Sequence, residues 1–510
     1  MERWLILVWS FLFALLGEAQ VRVSAWPEGK DGLERSPDYD VTVKSLAGGS
    51  GEWIRVPNLR CDVDTRHVRH ASFAEFEMGS PVVVRVKNCR TDAWDGNGKM
   101  QVKVKPSSRG IACRQVDART VEFTLHRPEF LSVEFNGERK QNLHIFANDM
   151  LAETYTGEEP DAINWKGKNA QDVFKQDARL IYFGPGVHFP KDLPSGEIKI
   201  PSNTTVYLAP GAVVRARLIV DRAENVRIIG RGIVAHPLRG VEITYSKNVL
   251  VDGITILNPQ HYTVYGGQSE NLTIRNLKSF SARPWSDGID LMSCRHVKID
   301  HVFLRNSDDC IALYNHRWWY WGGTEDVDIS RATLWCDWAH PVNIGTHGDD
   351  RSESGETLKN VRIHDCDIIF HEGDGMLSIR CGDKNVVRDV VYDSIRIEDI
   401  SRGRLFEMQV IYSEKYNRAP GNGIRDVHFR NISVFDSEGC MNPSLITDYD
   451  AGLVGDVPPV SHHEVIQVFN SNLDNLKKLL FTMIEKIPAE NNNCCLLYTS
   501  PSPRDTERSR

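Results

Sequence analysis

Helical periodicity, zinc-type Cys/His spacing and glycine-rich phosphate loops are all missing from this chain of 510 residues, and long apolar runs are absent beyond its first few residues. Each absence excludes something. Without a second stretch near the ~20 apolar residues that a spanning helix needs, the mature chain is expected to cross no membrane. Eleven cysteines scattered over this length are too sparse for a disulfide scaffold. The 61 Lys+Arg stand against 69 Asp+Glu, a net charge of −8, which gives no electrostatic reason to expect nucleic acid or an anionic membrane as partner. With 41% hydrophobic and 25% charged residues, disorder and collagen-like fibres are excluded too.

The apolar run at the start, Trp4 to Leu16, covers 13 residues behind a single arginine and is followed by Gly17-Glu18-Ala19. It is read as a signal peptide over 1–19, so the expected location is secreted or periplasmic. At the other end, 471–510 carries neither a strand nor a helix pattern, and Cys495 to Asp505 back-translates into a sequencing adapter. The expectation there is an unreliable tail with adapter read-through from 495. Cys494 and Cys495 therefore enter no disulfide argument, and most of the other thiols are expected to be buried as small hydrophobes.

Between these ends the patterning is that of strands. Val82-Val-Val-Arg-Val-Lys87, Met100-Gln-Val-Lys-Val-Lys105, Val121-Glu-Phe-Thr-Leu125 and Leu131-Ser-Val-Glu-Phe135 alternate apolar and polar residues, with turns such as Asn136-Gly137 between them. Half-buried strands of this kind predict a small antiparallel β-sandwich over 20–150, an accessory domain. A polar linker follows over 151–178. From 179 to 470 one motif recurs, broadly Asn/Asp-(Val/Leu)-x-(Ile/Val/Phe). It starts at Asn225, Asn248, Asn271, His296, Asp326, Asn360, Asp389 and Asp426, with spacings of 23, 23, 25, 30, 34, 29 and 37 residues. A period in the twenties that grows only by insertion, built of β-branched strands, predicts a parallel β-helix. One coil cannot bury its own apolar face; stacked coils make a continuous core. The turn residues ahead of each strand are expected to form ladders.

The densest chemistry is Trp285-Ser-Asp-Gly-Ile-Asp290 followed by Asn306-Ser-Asp-Asp-Cys310. Asp287 and Asp308 are 21 residues apart, close to one coil, so they are expected one rung apart on the same face. Asp309 reaches the same cleft only where the chain bends. Three carboxylates on rungs about 4.8 Å apart repel one another and raise at least one pKa. Cleavage of a glycosidic bond uses such an arrangement, one carboxyl as acid and another as base for water. A carboxyl separation of roughly 6.5–9.5 Å would admit that water and give inversion. Ala339-His-Pro-Val-Asn-Ile-Gly-Thr346 follows one rung on.

On these motifs the segment from Ile181 to Asp450 resembles glycoside hydrolase family 28, the polygalacturonase-like enzymes. Their Asn-Thr-Asp, Asp-Asp, Gly-His-Gly and Arg-Ile-Lys marks stand here as Trp285-Ser-Asp287, Asp308-Asp309, Ala339-His-Pro341 and Ser378-Ile-Arg380. The resemblance implies a right-handed β-helix, no cofactor and no metal. It also implies Asp308 as general acid, Asp287 and Asp309 activating water, and His340 supporting their charge network. In the family the Arg and Lys hold the sugar carboxylate; Ser378 stands in the Arg position, and Arg380 remains as one charged contact. A sandwich ahead of a β-helix is also similar to glycoside hydrolase family 49, whose members cleave α-glucans such as dextran.

The insertion Asn315-His-Arg-Trp-Trp-Tyr-Trp-Gly-Gly-Thr324 follows the acid pair, and Trp318, Trp319 and Trp321 are candidate stacking platforms for sugar rings. At least one aromatic of this run is expected in the core. Asp349, Asp350 and Arg351 are expected to be solvated, and His462-His463 too isolated to hold a metal. The leading expectation is a monomeric hydrolase of a pectic polysaccharide or oligosaccharide. The alternatives are a dextranase-like α-glucan hydrolase, a β-helix lyase using Ca²⁺ on the acid cluster, and a carbohydrate-binding protein without catalysis.

Overall fold

The computed structural model of the chain describes residues 21–29, 31–47, 51–91, 100–165, 179–189, 196–435, 441–442, 444–447 and 466–469. The signal segment, the tail from 471, the terminal cysteine pair and His462-His463 lie outside the described residues. Apart from a 3-10 turn at Ser107–Arg109, the described elements are strands. None of the described helices is long and apolar enough to cross a membrane. Contacts divide the chain into two units, one running to Arg60 and resuming over Ala71–Thr154, the other holding Cys61–His70 and everything from Tyr155 onward.

The first unit is built on alternation. In Tyr39–Ser45 and Val82–Asn88, Val41, Val43, Val82, Val84 and Val86 point inward and are fully buried, while their neighbours face outward. These valines meet Phe123, Leu131, Val133, Phe135 and Ile145 in one core. Each such side chain removed from water contributes about 1.5–3 kcal/mol before entropy is counted. One sheet, running from Ile54–Val56 through Tyr39–Ser45, Val82–Asn88 and Thr120–Leu125 to Arg114–Gln115, is antiparallel throughout. The other departs from the antiparallel expectation where Leu143–Asp149 runs parallel to the strand Arg69–Met78. A parallel pair needs a long crossover, and the chain between these strands makes one by passing through the other sheet.

The second unit is a solenoid. Arg295–Asp300, Phe303–Asn306 and Ile311–Tyr314 of one coil pair in parallel with Glu325–Ser330, Thr333–Cys336 and Val342–Ile344 of the next. Its first rung, Ala162–Asn164, lies within the stretch expected to be linker and pairs with Leu180–Phe183. The repeat motif explains the stacking. Its second and fourth residues, Val226 and Ile228, Val249 and Val251, Leu272 and Ile274, Val297 and Ile299, Val327 and Ile329, face one another inside the coils. Its first residue turns the corner: all eight, from Asn225 to Asp426, have φ between 51° and 58°, in the left-handed region that Asn and Asp tolerate best. The corner amides bond along the stack, Asn225 Nδ2 donating to Asn203 Oδ1 (2.9 Å), Asn248 to Asn225 (2.9 Å) and Asn271 to Asn248 (3.1 Å). Of the described cysteines, Cys61, Cys294, Cys310, Cys336, Cys366 and Cys381 are buried and outside any disulfide.

Candidate active site

Register decides which acids meet. Ile289 pairs with Ile311, which pairs with Val342, which pairs with Leu377. Two residues ahead of the first three lie Asp287, Asp309 and His340, so these occupy equivalent positions on successive coils. The Gly288 N–H donates to the Asp309 carbonyl (2.8 Å) and the Cys310 N–H to the His340 carbonyl (2.9 Å), which locks the alignment. Gly288 is required there, since a Cβ would run into the Cys310 carbonyl oxygen. The rung partner of Asp287 is therefore Asp309, rather than Asp308 as the 21-residue spacing suggested. Asp308 stands in the bend between Phe303–Asn306 and Ile311–Tyr314, which turns both members of the pair into one cleft of about 420 Å³.

Each of Asp287, Asp308 and Asp309 offers a carboxylate oxygen within 4.8 Å of the other two. Oxygens within that limit are close enough for two of them to accept from one water, so the spacing permits a shared water. It also matches what a cation would need, and among the described residues this is the group of acids that could hold one.

The three environments differ. Asp308 Oδ2 accepts from the Trp285 N–H (3.0 Å) and Oδ1 from the Asp309 N–H (3.1 Å). Burial, with the Asp309 charge beside it, still pushes Asp308 up to about 6. Asp309 accepts from the His340 N–H (3.0 Å), from His340 Nδ1–H (2.7 Å) and from Asn343 Nδ2 (2.7 Å). Burial raises its pKa, but His340, Asn343 and Arg380 outweigh it and hold the carboxyl below its ordinary value. His340 is desolvated, yet Asp309 on one side and Glu407, 3.6 Å from Nε2, on the other raise it to about 10. Glu407 is buried too, but His340 and Arg380 bring it down to about 2, and the Gly375 N–H caps it at 2.8 Å. Asp287 has neither cation nor cap in contact. Burial first, then Asp290, Asp308 and Asp309, drives it well above the carboxylate range.

Of the other expected residues, Arg380 lines the cleft with its Nε buried and without a hydrogen-bond partner. Ser378 is buried on the rung between Asn343 and Glu407. The three tryptophans do not line this cleft; Trp285 and Trp338 do. Trp318 stacks on Tyr262 (6.1 Å, 25°), while Trp321 lies 3.3 Å from the His316 ring and 3.8 Å from the Arg351 guanidinium. Trp319 stays 63% exposed, and Tyr320 is the member of the run that enters a core. Arg351 is exposed, as expected, and its guanidinium also lies over the Trp321 ring.

Asp290, Asn343, Glu407, Arg317, Trp285 and Trp338 were not picked out from sequence. Asp290, Asn343, Arg317 and Trp285 sit inside the motifs quoted above, and Trp338 directly precedes one of them. Glu407 could have been found by counting one coil on from Ser378, with which it pairs.

Residues 234–440 match the family model described as glycosyl hydrolases family 28, so the resemblance read from the motifs is borne out over that segment. Among curated relatives, a polygalacturonase of Chamaecyparis obtusa is 25% identical over 159 residues, 31% of this chain and 29% of the relative. An exopolygalacturonase of Arabidopsis thaliana is 24% identical over 204 residues, 38% of this chain and 44% of the relative. The chain spans less than half the length of these relatives. Dex49A from Penicillium minioluteum has the same fold, with a TM-score of 0.62, 15% identity, and 89% of this chain and 93% of that one covered. The likeness in fold to family 49 rests on this structure.

Proposed function

We propose that this chain is a secreted or periplasmic glycoside hydrolase that cleaves a pectic polysaccharide with inversion, acting as a monomer. The observation that carries the reading is a cleft in which adjoining carboxyls, Asp308 and Asp309, are driven to opposite protonation preferences. Asp308 gives its proton to the leaving glycosidic oxygen as the bond to the anomeric carbon breaks. Water attacks that carbon from the other face and passes a proton to Asp309. Asp287, one coil before Asp309, holds and orients the same water and shares in activating it. His340 touches Asp309 and keeps it ionised; it is a positioning residue.

Trp285 and Trp338 are the ring platforms nearest the reaction, and Trp319 serves a more distant subsite. Arg317, Arg380, Arg402 and Lys415 line the cleft and suit an acidic sugar. The polygalacturonase names of the matching relatives support the same substrate class.

A second reading, hydrolysis of a neutral α-glucan, is favoured by Ser378 in the family's arginine position and by the shared fold with Dex49A over 89% of the chain. A panel of polygalacturonate, rhamnogalacturonan and dextran separates the two, with the product anomer followed by NMR. Reducing ends of inverted configuration from the first substrate are expected. Unsaturated, ultraviolet-absorbing ends that disappear with a chelator would replace hydrolysis by a lyase reaction.

A further inference from the structure

Arg317 opens the aromatic insertion directly after the acid pair, and its guanidinium lines the same cleft as Asp308. Three rings surround it, with centroids at 4.9 Å for Tyr314, 5.0 Å for Trp318 and 5.8 Å for Tyr262. Only 21% of the side chain remains exposed, and the acid beside it, Asp290, is 3.7 Å away, beyond hydrogen-bond reach. A guanidinium withdrawn from water without a close counter-ion is costly, and ring faces offset only part of that cost. A loop that needed only to pack would carry an apolar side chain at this point.

The opposite end of the site repeats the pattern. Asp290, Ala312, Asn343, Ser378 and Glu407 form one column across five coils. Arg317 acts on the acids at its first end, Asp287 and Asp290, and Arg380 on Asp309 and Glu407 toward its last. Two half-buried cations therefore bracket the carboxyl trio, and both line the cleft. Arg402 and Lys415 differ from them, being exposed at the rim.

We propose that Arg317 is a specificity residue that binds the carboxylate of an acidic sugar unit on the Asp287 side of the scissile bond. This deepens the pectic reading above and rests on it. A planar guanidinium suits a uronate carboxylate because two parallel N–H···O bonds form at once. A methyl-esterified uronate, which carries no charge, cannot make that pair. Arg317 then discriminates between acid and ester forms of the same oligomer.

The test compares kcat/KM on an oligogalacturonate and on its methyl ester for the native protein, Arg317→Gln and Arg317→Lys. Arg317→Gln is expected to shrink the acid-over-ester preference by about 30-fold, chiefly through KM on the acid form, with Arg317→Lys in between. Equal loss on both forms, or no loss, would overturn the assignment. Titrating the acid oligomer calorimetrically into Asp308→Asn, with and without Arg317→Gln, gives a readout independent of turnover; unchanged affinity there also overturns it. A native protein that cleaves dextran and neither galacturonate form removes the pectic reading itself, an outcome distinct from either of these.

Discussion

Two carboxylates one coil apart, in equivalent backbone positions, have opposite fates in this molecule. Asp309 is ringed by donors, with the His340 amide and imidazole at 3.0 and 2.7 Å and the Asn343 amide at 2.7 Å, and is held ionised. Asp287 is as deeply buried, but burial and the neighbouring acids outweigh Arg317, and its Oδ1 has no hydrogen-bond partner among the described residues. Depth alone therefore does not set protonation. The sign is decided by what the next rung carries: His340 lies beyond Asp309, while a carboxylate lies beyond Asp287. Asp308, off the column in the bend, falls between the two at about 6.

The sharpest way to break this contrast is to remove the acid. Asp308→Asn is expected to lower kcat about 10³-fold with little change in KM, measured by reducing-sugar release. His340→Asn comes next. Losing the imidazolium removes the charge that keeps Asp309 ionised, so kcat is expected to fall about 10²-fold and the acid limb of the pH–rate profile to move to higher pH. Unmoved limbs would mean that Asp309 is not the base. In the native protein, the alkaline limb of kcat/KM should lie near pH 6, where Asp308 loses its proton. Asp308→Asn, if active enough to measure, should lack that limb.

The same group also affects stability. Asp308 has a folded-state value of about 6 against 3.8 when free, so folding favours its proton. That contribution is whole below pH 3.8 and is lost as the pH rises through 6. An asparagine does not titrate, so Asp308→Asn is expected to be more stable than the native protein at pH 7, by at most about 3 kcal/mol, in denaturant melts. The contribution of Asp309 has the opposite sign, being present at neutral pH and lost on acidification. The smallest effect belongs to the scaffold. Asn248→Ala, which cuts two rungs of the amide ladder and puts alanine at φ 56°, should cost about 1–2 kcal/mol with kcat unchanged.

The solenoid was legible because its demands are local and repeated. Every coil needs a residue that tolerates a left-handed corner and two inward aliphatic side chains, so Asn225-Val-Arg-Ile228 and its successors recur in plain view. The acid pair was legible for a related reason, since adjacent aspartates ahead of a buried strand have few structural uses. The alignment of Asp287 with Asp309 was not, because one residue in the bend decides it. Nor was Glu407, whose relevance comes from lateral pairing with Ser378 and not from its own sequence neighbours. The aromatic run was seen, but which rings face the cleft depends on how the loop folds. Tyr320 turns inward, and Trp285 and Trp338 flank the acids instead.

The column of left-handed corners has a further consequence. Asn225 and Asn248 each give and receive along the stack, so a fault at either leaves its neighbours on both sides with an unmatched group. Damage of this kind spreads along a line, as a dislocation does through a crystal. By contrast, changes in the loops that interrupt the repeat leave that line untouched. Chemistry in such a protein can drift by lengthening the spans between coils, while the spine beneath stays fixed.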